Sequence, residues 1–209
     1  MAGQGARPRR VRRFSAVATT YRGVTVWFTG LPRSGKTTLS RLVAENLHAL
    51  GVDRVEVLDG DVIRRTFSVG LGYSKADRDE NVRRIAERAS AVTRAGAVCI
   101  VAAISPYADA RAAARRLIGD FVEVHCMAPV DVCAARDTTG LYERAFAGEI
   151  GSFTGVSDPY EAPERPDLRL DTVGGDPAML AAQVVQRLEV LGYLRTTARS
   201  RRSARAPGL

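Results

Sequence analysis

Gly30-Leu31-Pro32-Arg33-Ser34-Gly35-Lys36-Thr37 has the spacing G-x-x-x-x-G-K-[ST] of a phosphate-binding P-loop. Glycines allow backbone N–H groups to close around an anion, and a helix starting behind them adds the positive end of its dipole. Lys36 can then reach the β/γ-phosphates of a nucleotide, and the Thr37 hydroxyl can hold Mg²⁺. Residues 30–37 with Thr38 are therefore the candidate nucleotide-binding set. The flanks separate this from a glycine turn that matches by chance. Val24-Thr25-Val26-Trp27-Phe28-Thr29 reads as a buried strand, and Leu39, Leu42, Val43, Leu47 and Leu50 recur at helical spacing.

A phosphate cradle does not by itself name a reaction. Asp61 lies just past a second predicted strand, Val55-Glu56-Val57-Leu58, where a carboxylate can accept a proton from an attacking hydroxyl or position Mg²⁺. The competing role for Asp59 and Asp61 is to cap the next helix, and it weighs more for Asp59. Arg64 follows Asp61 by one helical turn. Arg78 and Asn81 stand three apart, hence on one helix face, and with Arg64 could grip an acidic substrate. Tyr73 and Phe153 lie in glycine-bearing loops, where each is either a stacking platform for a flat ring or a buried anchor.

The elements that must position these residues alternate strand and helix. After Ser74, an N-cap with Asp77 three residues on, a helix is expected over about 75–95. The continuous apolar run 97–104 reads as a strand covered on both faces. A helix over about 108–118, a strand 121–126, a short helix over about 130–136, a last strand 168–170 and a closing helix through Leu180, Val184, Leu188 and Leu191 follow. The expected fold is α/β, three-layered, with a mostly parallel sheet. Ligands in such sheets sit beyond the carboxyl ends of the strands, which gathers the P-loop, Asp61, Ile104-Ser105 and the loop after 137 at one edge. Segment 137–163 is long for a connection and is expected to be a lid that excludes water from the γ-phosphate.

Net charge is +8, yet residues 1–22 hold six arginines and residues 195–209 hold five, with no acid in either stretch. Setting these eleven aside leaves 20 basic and 23 acidic residues, a charge near −3 for residues 23–194. Both ends are thus expected to be disordered basic arms. Such arms are more often solvated than bound to nucleic acid, so no nucleic-acid partner is assigned. The first arm also has the composition of a transit peptide. Two lysines against 29 arginines suggest a GC-rich genome, which produces such an arm without targeting, and a bacterial cytoplasmic protein is expected. The longest apolar run is too short to span a bilayer. Cys99, Cys126 and Cys133 fit neither a disulfide framework nor metal-ligand spacing.

Taken together, Gly30 to Thr38, Leu58-Asp59-Gly60-Asp61-Val62-Ile63-Arg64, Gly70-Leu71-Gly72-Tyr73-Ser74, Asp77-Arg78-Asp79-Glu80-Asn81, Ile104-Ser105-Pro106-Tyr107, Arg136-Asp137, Gly140-Leu141-Tyr142 and Phe153-Thr154-Gly155 resemble the adenylylsulfate kinase (APS kinase) family. The resemblance covers roughly 23–194. It implies a P-loop kinase with a five-stranded sheet, usually a homodimer, moving the γ-phosphate of Mg-ATP to the 3′-hydroxyl of adenosine 5′-phosphosulfate (APS) to give PAPS, the activated sulfate donor. By position Asp61 would be base or metal organiser, with Lys36 on the phosphates and Arg136 among the ATP-binding residues. Arg64, Arg78, Asn81, Ile104 and Ser105 would hold APS, its adenine between Tyr73 and Phe153. Ser105 also matches a serine described in the family as a phosphoserine intermediate, although in-line transfer needs no covalent step.

Three departures stand out. Thr139 and Glu143 replace cations usual in the family's lid, Tyr73 replaces Phe, and Pro32-Arg33 fill positions that are normally small. Loss of lid cations weakens the expected clamp on phosphates. A related kinase acting on another hydroxyl is therefore the alternative reading, with a non-catalytic nucleotide-binding protein using its basic arms as the rival from another class.

Overall fold

The computed structural model describes residues 17–198. Strand β1 (Val17–Tyr21) precedes β2 (Val24–Thr29), which runs through the P-loop into α1 (Lys36–Ala49). Then come β3 (Val55–Asp59), α2 (Gly60–Arg65), α3 (Lys75–Arg94), β4 (Val98–Ala102), α4 (Ala108–Ile118) and β5 (Phe121–Met127). The chain closes with α5 (Val130–Ala135), α6 (Leu141–Phe146), β6 (Leu168–Asp171), α7 (Pro177–Val190) and β7 (Leu194–Ala198).

Five strands form one parallel sheet in the order β3-β4-β2-β5-β6. All six β2 residues are buried, because helices cover both faces. Val24, Val26 and Phe28 point into one core with α1 and α7, while Trp27 points into the other with α3 and α4. This is the three-layer arrangement expected from the alternating pattern. The connection from β2 leads to β3 on one side, whereas that from its neighbour β5 leads to β6 on the other, which opens a crevice at their carboxyl ends. The P-loop crosses that crevice.

The described chain reaches past 23–194 at both ends. β1 and β7 pair antiparallel, Tyr21 against Leu194 and Val17 against Ala198, so parts of the expected arms are a ribbon. Tyr21 bonds to Asp53 through its hydroxyl, and the Arg22 guanidinium lies 4.0 Å from the centre of the Tyr193 ring. The arginine count hid two short strands, VATTY and LRTTA, with three and two β-branched residues. Residues 1–16 and 199–209, the remainder of both arms, lie outside the described residues. No helix of the described residues is long and apolar enough to cross a membrane.

Candidate active site

A cavity of about 760 Å³ opens at the carboxyl ends of β2, β3 and β4. Its walls include Lys36 and Thr37 of the P-loop, Asp59, Asp61, Arg64, Tyr73, Asn81, Ile104, Ser105, Arg136 and Phe153. Sequence-predicted residues from six separate segments thus border one space, while Gly30, Leu31 and Ser34 of the candidate set are not among its lining.

The P-loop is tightly folded on itself. A Cβ at Gly30 would lie 2.6 Å from the Cys126 carbonyl oxygen and 2.6 Å from Ser34 Oγ, so only glycine fits there. Lys36 Nζ donates to the carbonyls of Gly30 and Leu31 at 3.0 and 2.6 Å and to Ser34 Oγ at 3.4 Å. Burial lowers the pKa of its ammonium, while the fields of Asp61 and Asp59 oppose that shift. Arg33 holds φ +63°, a left-handed conformation that costs a non-glycine residue roughly 1–2 kcal/mol. Its side chain is spent on segment 137–139, with Nε 3.1 Å from Asp137 Oδ1 and Nη2 2.7 Å from Thr139 Oγ1.

Asp59 does more than its sequence position suggested. Oδ1 caps α2 by accepting from Asp61 N at 2.9 Å and Val62 N at 3.4 Å, and Oδ2 accepts from Thr37 Oγ1 at 2.9 Å. One carboxylate therefore both starts the helix and joins β3 to the P-loop. Asp61 sits in the first turn of α2, and its side chain accepts no hydrogen bond among the described residues. The described residues contain no cluster of three or more His, Cys, Asp or Glu able to cage a metal. The Thr37 hydroxyl and the Asp59 and Asp61 carboxylates are oxygen donors of the kind that could hold Mg²⁺, an ion that keeps most of its shell as water and phosphate oxygen.

The two halves of the expected substrate grip differ. Arg64 Nη1 donates to the Gly72 carbonyl at 2.9 Å and its guanidinium lies 4.7 Å from the Tyr73 ring centre. Arg78 is buried and largely committed: Nε to Tyr73 O, Nη1 to Thr154 Oγ1, Nη2 to Ser152 O and Asp158 Oδ2. It stitches α3 to segment 152–158, leaving one of its five N–H groups uncommitted. Asn81 is also buried, and its Oδ1 has no hydrogen-bond partner among the described residues. Tyr73 is 59 % exposed, so water satisfies its additional hydroxyl. Phe153 is buried and meets Tyr142 edge-on, ring centres 4.8 Å apart, which makes it an anchor of segment 137–163 that also borders the cavity.

Ser105 turns inward. It adopts φ +41°, is buried, accepts from Trp27 Nε1 at 2.9 Å and donates to Ala103 O at 3.3 Å. The hydroxyl is a strut within loop 104–107. Thr29 Oγ1 donates to Ile104 O at 2.7 Å, and Arg111 Nη1 to Ser105 O at 2.7 Å. Arg111 is itself buried and paired with Glu123 at 2.9 Å, while its Nη2 donates to Glu161 O at 2.6 Å. Trp27, Thr29, Arg111 and Glu161 escaped sequence reading because their contacts join distant segments, and Arg111 was one arginine among 29. On the far side, Arg136 Nη2 donates to Thr172 O at 2.5 Å.

The adenylylsulphate kinase family model matches residues 22–171. An adenylyl-sulfate kinase of a Picosynechococcus strain is 49 % identical over 174 residues, spanning 83 % of this chain and 98 % of the relative. The structure of the Mycobacterium tuberculosis APS kinase CysC in complex with AMPPNP and APS superimposes with TM-score 0.77 at 44 % identity, over 81 % of this chain and 99 % of that one. A hexameric APS kinase from Thiobacillus denitrificans aligns with TM-score 0.64 at 38 % identity, over 84 % of this chain and 30 % of that one. With the family matched over most of the chain and its motif residues gathered round one cavity, the protein belongs to the adenylylsulphate kinase family.

Proposed function

We propose that the protein is an enzyme that phosphorylates the 3′-hydroxyl of adenosine 5′-phosphosulfate with ATP, giving ADP and PAPS. The observation that carries this reading is the joining, in one cavity, of a phosphate cradle to a second half bordered by Arg64, Tyr73, Asn81 and the 104–107 loop. The unpartnered Asn81 Oδ1 supports a bound donor there, because buried acceptors are rarely left unsatisfied.

In this reading the loop residues and Lys36 hold the ATP phosphates, and Arg136 with Thr172 borders the nucleotide end. Asp61 carries a carboxylate free of other hydrogen bonds and acts as base for the acceptor hydroxyl, or as organiser of the metal. Thr37 with Asp59 or Asp61 would hold Mg²⁺, which when bound neutralises phosphate charge. Arg64 and Asn81 bind APS with its adenine against Tyr73. Ser105 positions the backbone at Ile104 and takes no phosphoryl group, since its hydroxyl is committed to Trp27 and Ala103.

Self-association as a homodimer and a cytoplasmic setting complete the proposal. A hexameric relative supports assembly between copies, and sedimentation distinguishes a dimer from larger forms. Coupled ADP release tests the activity: APS should stimulate it far above other nucleosides and alcohols, and absence of APS-dependent ADP formation would overturn the reading.

A further inference from the structure

The middle of the P-loop holds the lid at three successive residues. Leu31 packs into the apolar cluster of Cys133, Tyr142, Ala145 and Phe153, and a Cβ at Gly155 would come within 2.6 Å of Leu31 Cδ2. The Pro32 carbonyl accepts the Tyr142 hydroxyl at 2.9 Å. Arg33 bonds to Asp137 and Thr139, at the root of the lid.

Asp137 is the hub of this contact. Its side chain is only 2 % exposed, yet it faces a partly exposed arginine. Oδ1 accepts from Thr139 N at 3.0 Å and Thr139 Oγ1 at 2.6 Å, and Oδ2 accepts from Tyr142 N at 2.9 Å. Burial alone would raise the carboxyl's pKa. The hydrogen bonds from Thr139 and Tyr142, then the Arg33 charge, outweigh it and hold the group well below the usual carboxylate range. A charge-assisted contact of this kind has direction as well as strength.

Arg33 meanwhile keeps a backbone conformation that glycine would adopt without strain. An ordinary loop residue gains nothing from that, whereas a residue whose guanidinium must span from the loop to 137–139 does. Strain maintained by the surrounding structure is a reason to look for a role.

We propose that Arg33 is a positioning residue for phosphoryl transfer, tying the root of the lid to the P-loop through Asp137 and Thr139. The lid's pose over the γ-phosphate is thereby set from the loop, through a lid root that offers Asp137 and Thr139 to the guanidinium. A lid so held excludes water, which otherwise attacks the γ-phosphoryl group of ATP to give ADP and inorganic phosphate. The proposal rests on the reading of the site as an ATP:APS phosphotransferase.

The test compares wild type with Arg33→Gly, Arg33→Lys and Asp137→Asn in the full chain, measuring ADP and PAPS formed together. Arg33→Gly removes the side chain while suiting the left-handed backbone, so folding is retained. PAPS turnover should fall about tenfold, ADP formed should exceed PAPS formed, and the KM for ATP should move less than about threefold. Arg33→Lys should recover part of the loss. Asp137→Asn should act in the same direction, and the double variant should be little worse than the worse single one, as expected for two halves of one contact. Amide hydrogen exchange over 137–146, read without substrates, should quicken in Arg33→Gly.

Unchanged exchange with ADP and PAPS still equal in Arg33→Gly would overturn the proposal. So would a raised KM for ATP that Asp137→Asn does not share, which would put the guanidinium on the nucleotide instead of the lid. If wild type made no PAPS, the functional reading would fail while the exchange experiment still judged the contact.

Discussion

Loops 104–107 and 70–73 border the same cavity and are held in different ways. The first is braced beneath by Trp27, Thr29 and Arg111, and Glu161 N donates to the Pro106 carbonyl at 2.9 Å. The second has an exposed aromatic at its end, steadied by two guanidiniums, with Arg64 4.7 Å and Arg78 5.7 Å from the Tyr73 ring centre. A braced loop can fix the backbone against which a reacting group is aligned, where small displacements are costly. An open aromatic can accept a flat ring and let it leave. In the proposed function the two loops would divide the grip on a nucleotide between orientation and affinity.

The largest effect belongs to the carboxylate beside both loops. Asp61→Asn should lower kcat by about 10³-fold, within the range of general-base losses, while the Kd for ATP moves less than about threefold. Steady-state kinetics with ATP titration checks this, and an unchanged kcat would leave Asp61 as a first-turn residue only.

Arg111→Met probes the braced loop. It leaves Glu123, in its buried site, with only the longer 3.6 Å contact to Arg115, which should cost up to about 3–5 kcal/mol of stability by denaturant melting and raise the KM for APS. Equal melting curves would show that the bracing is dispensable. Tyr73→Ala probes the open loop and should behave oppositely. The KM for APS should rise about tenfold, on the order of one base–aromatic stack, with melting unchanged. A loss of stability instead would make Tyr73 a structural anchor and erase the contrast.

The smallest effect is a pH dependence behind the braced loop. His125 is pushed down to about 4 by burial first, then by Arg111 and Arg169, and its ring centre lies 5.9 Å from that of Tyr160. The unfolded chain binds a proton near the ordinary value of 6.5, whereas the folded protein resists until about 4. The contribution is full above 6.5 and is lost as pH falls through that window. Partial solvation limits it to about 1 kcal/mol at pH 5. His125→Phe should flatten the stability profile between pH 7 and 5; an unaltered profile would assign the slope to other groups.

Parts of this site were legible in sequence for a physical reason. P-loop binding, the Ser74 cap and the strand–helix alternation depend on residues close together in the chain, and local spacing records them. The Thr37–Asp59, Trp27–Ser105 and Arg111–Ser105 bonds join segments that only the fold brings together. Residue type also left partners invisible. Arg78 borders the cavity and at the same time stitches α3 to 152–158, and Ser105, also at the cavity, bonds through its hydroxyl to Trp27 and Ala103. At the chain ends, a high arginine count outweighed the few β-branched residues of Val17–Tyr21 and Leu194–Ala198, whose pairing only the fold reveals.

The central claim is that one cavity carries the γ-phosphate from ATP to the ribose of APS. Incubation of the full chain with ATP, Mg²⁺ and APS, followed by ³¹P NMR of the purified product, tests it directly. The account predicts one new phosphate monoester on the 3′-oxygen, formed in step with ADP. Unmodified APS, or a phosphate on any other oxygen, would contradict it.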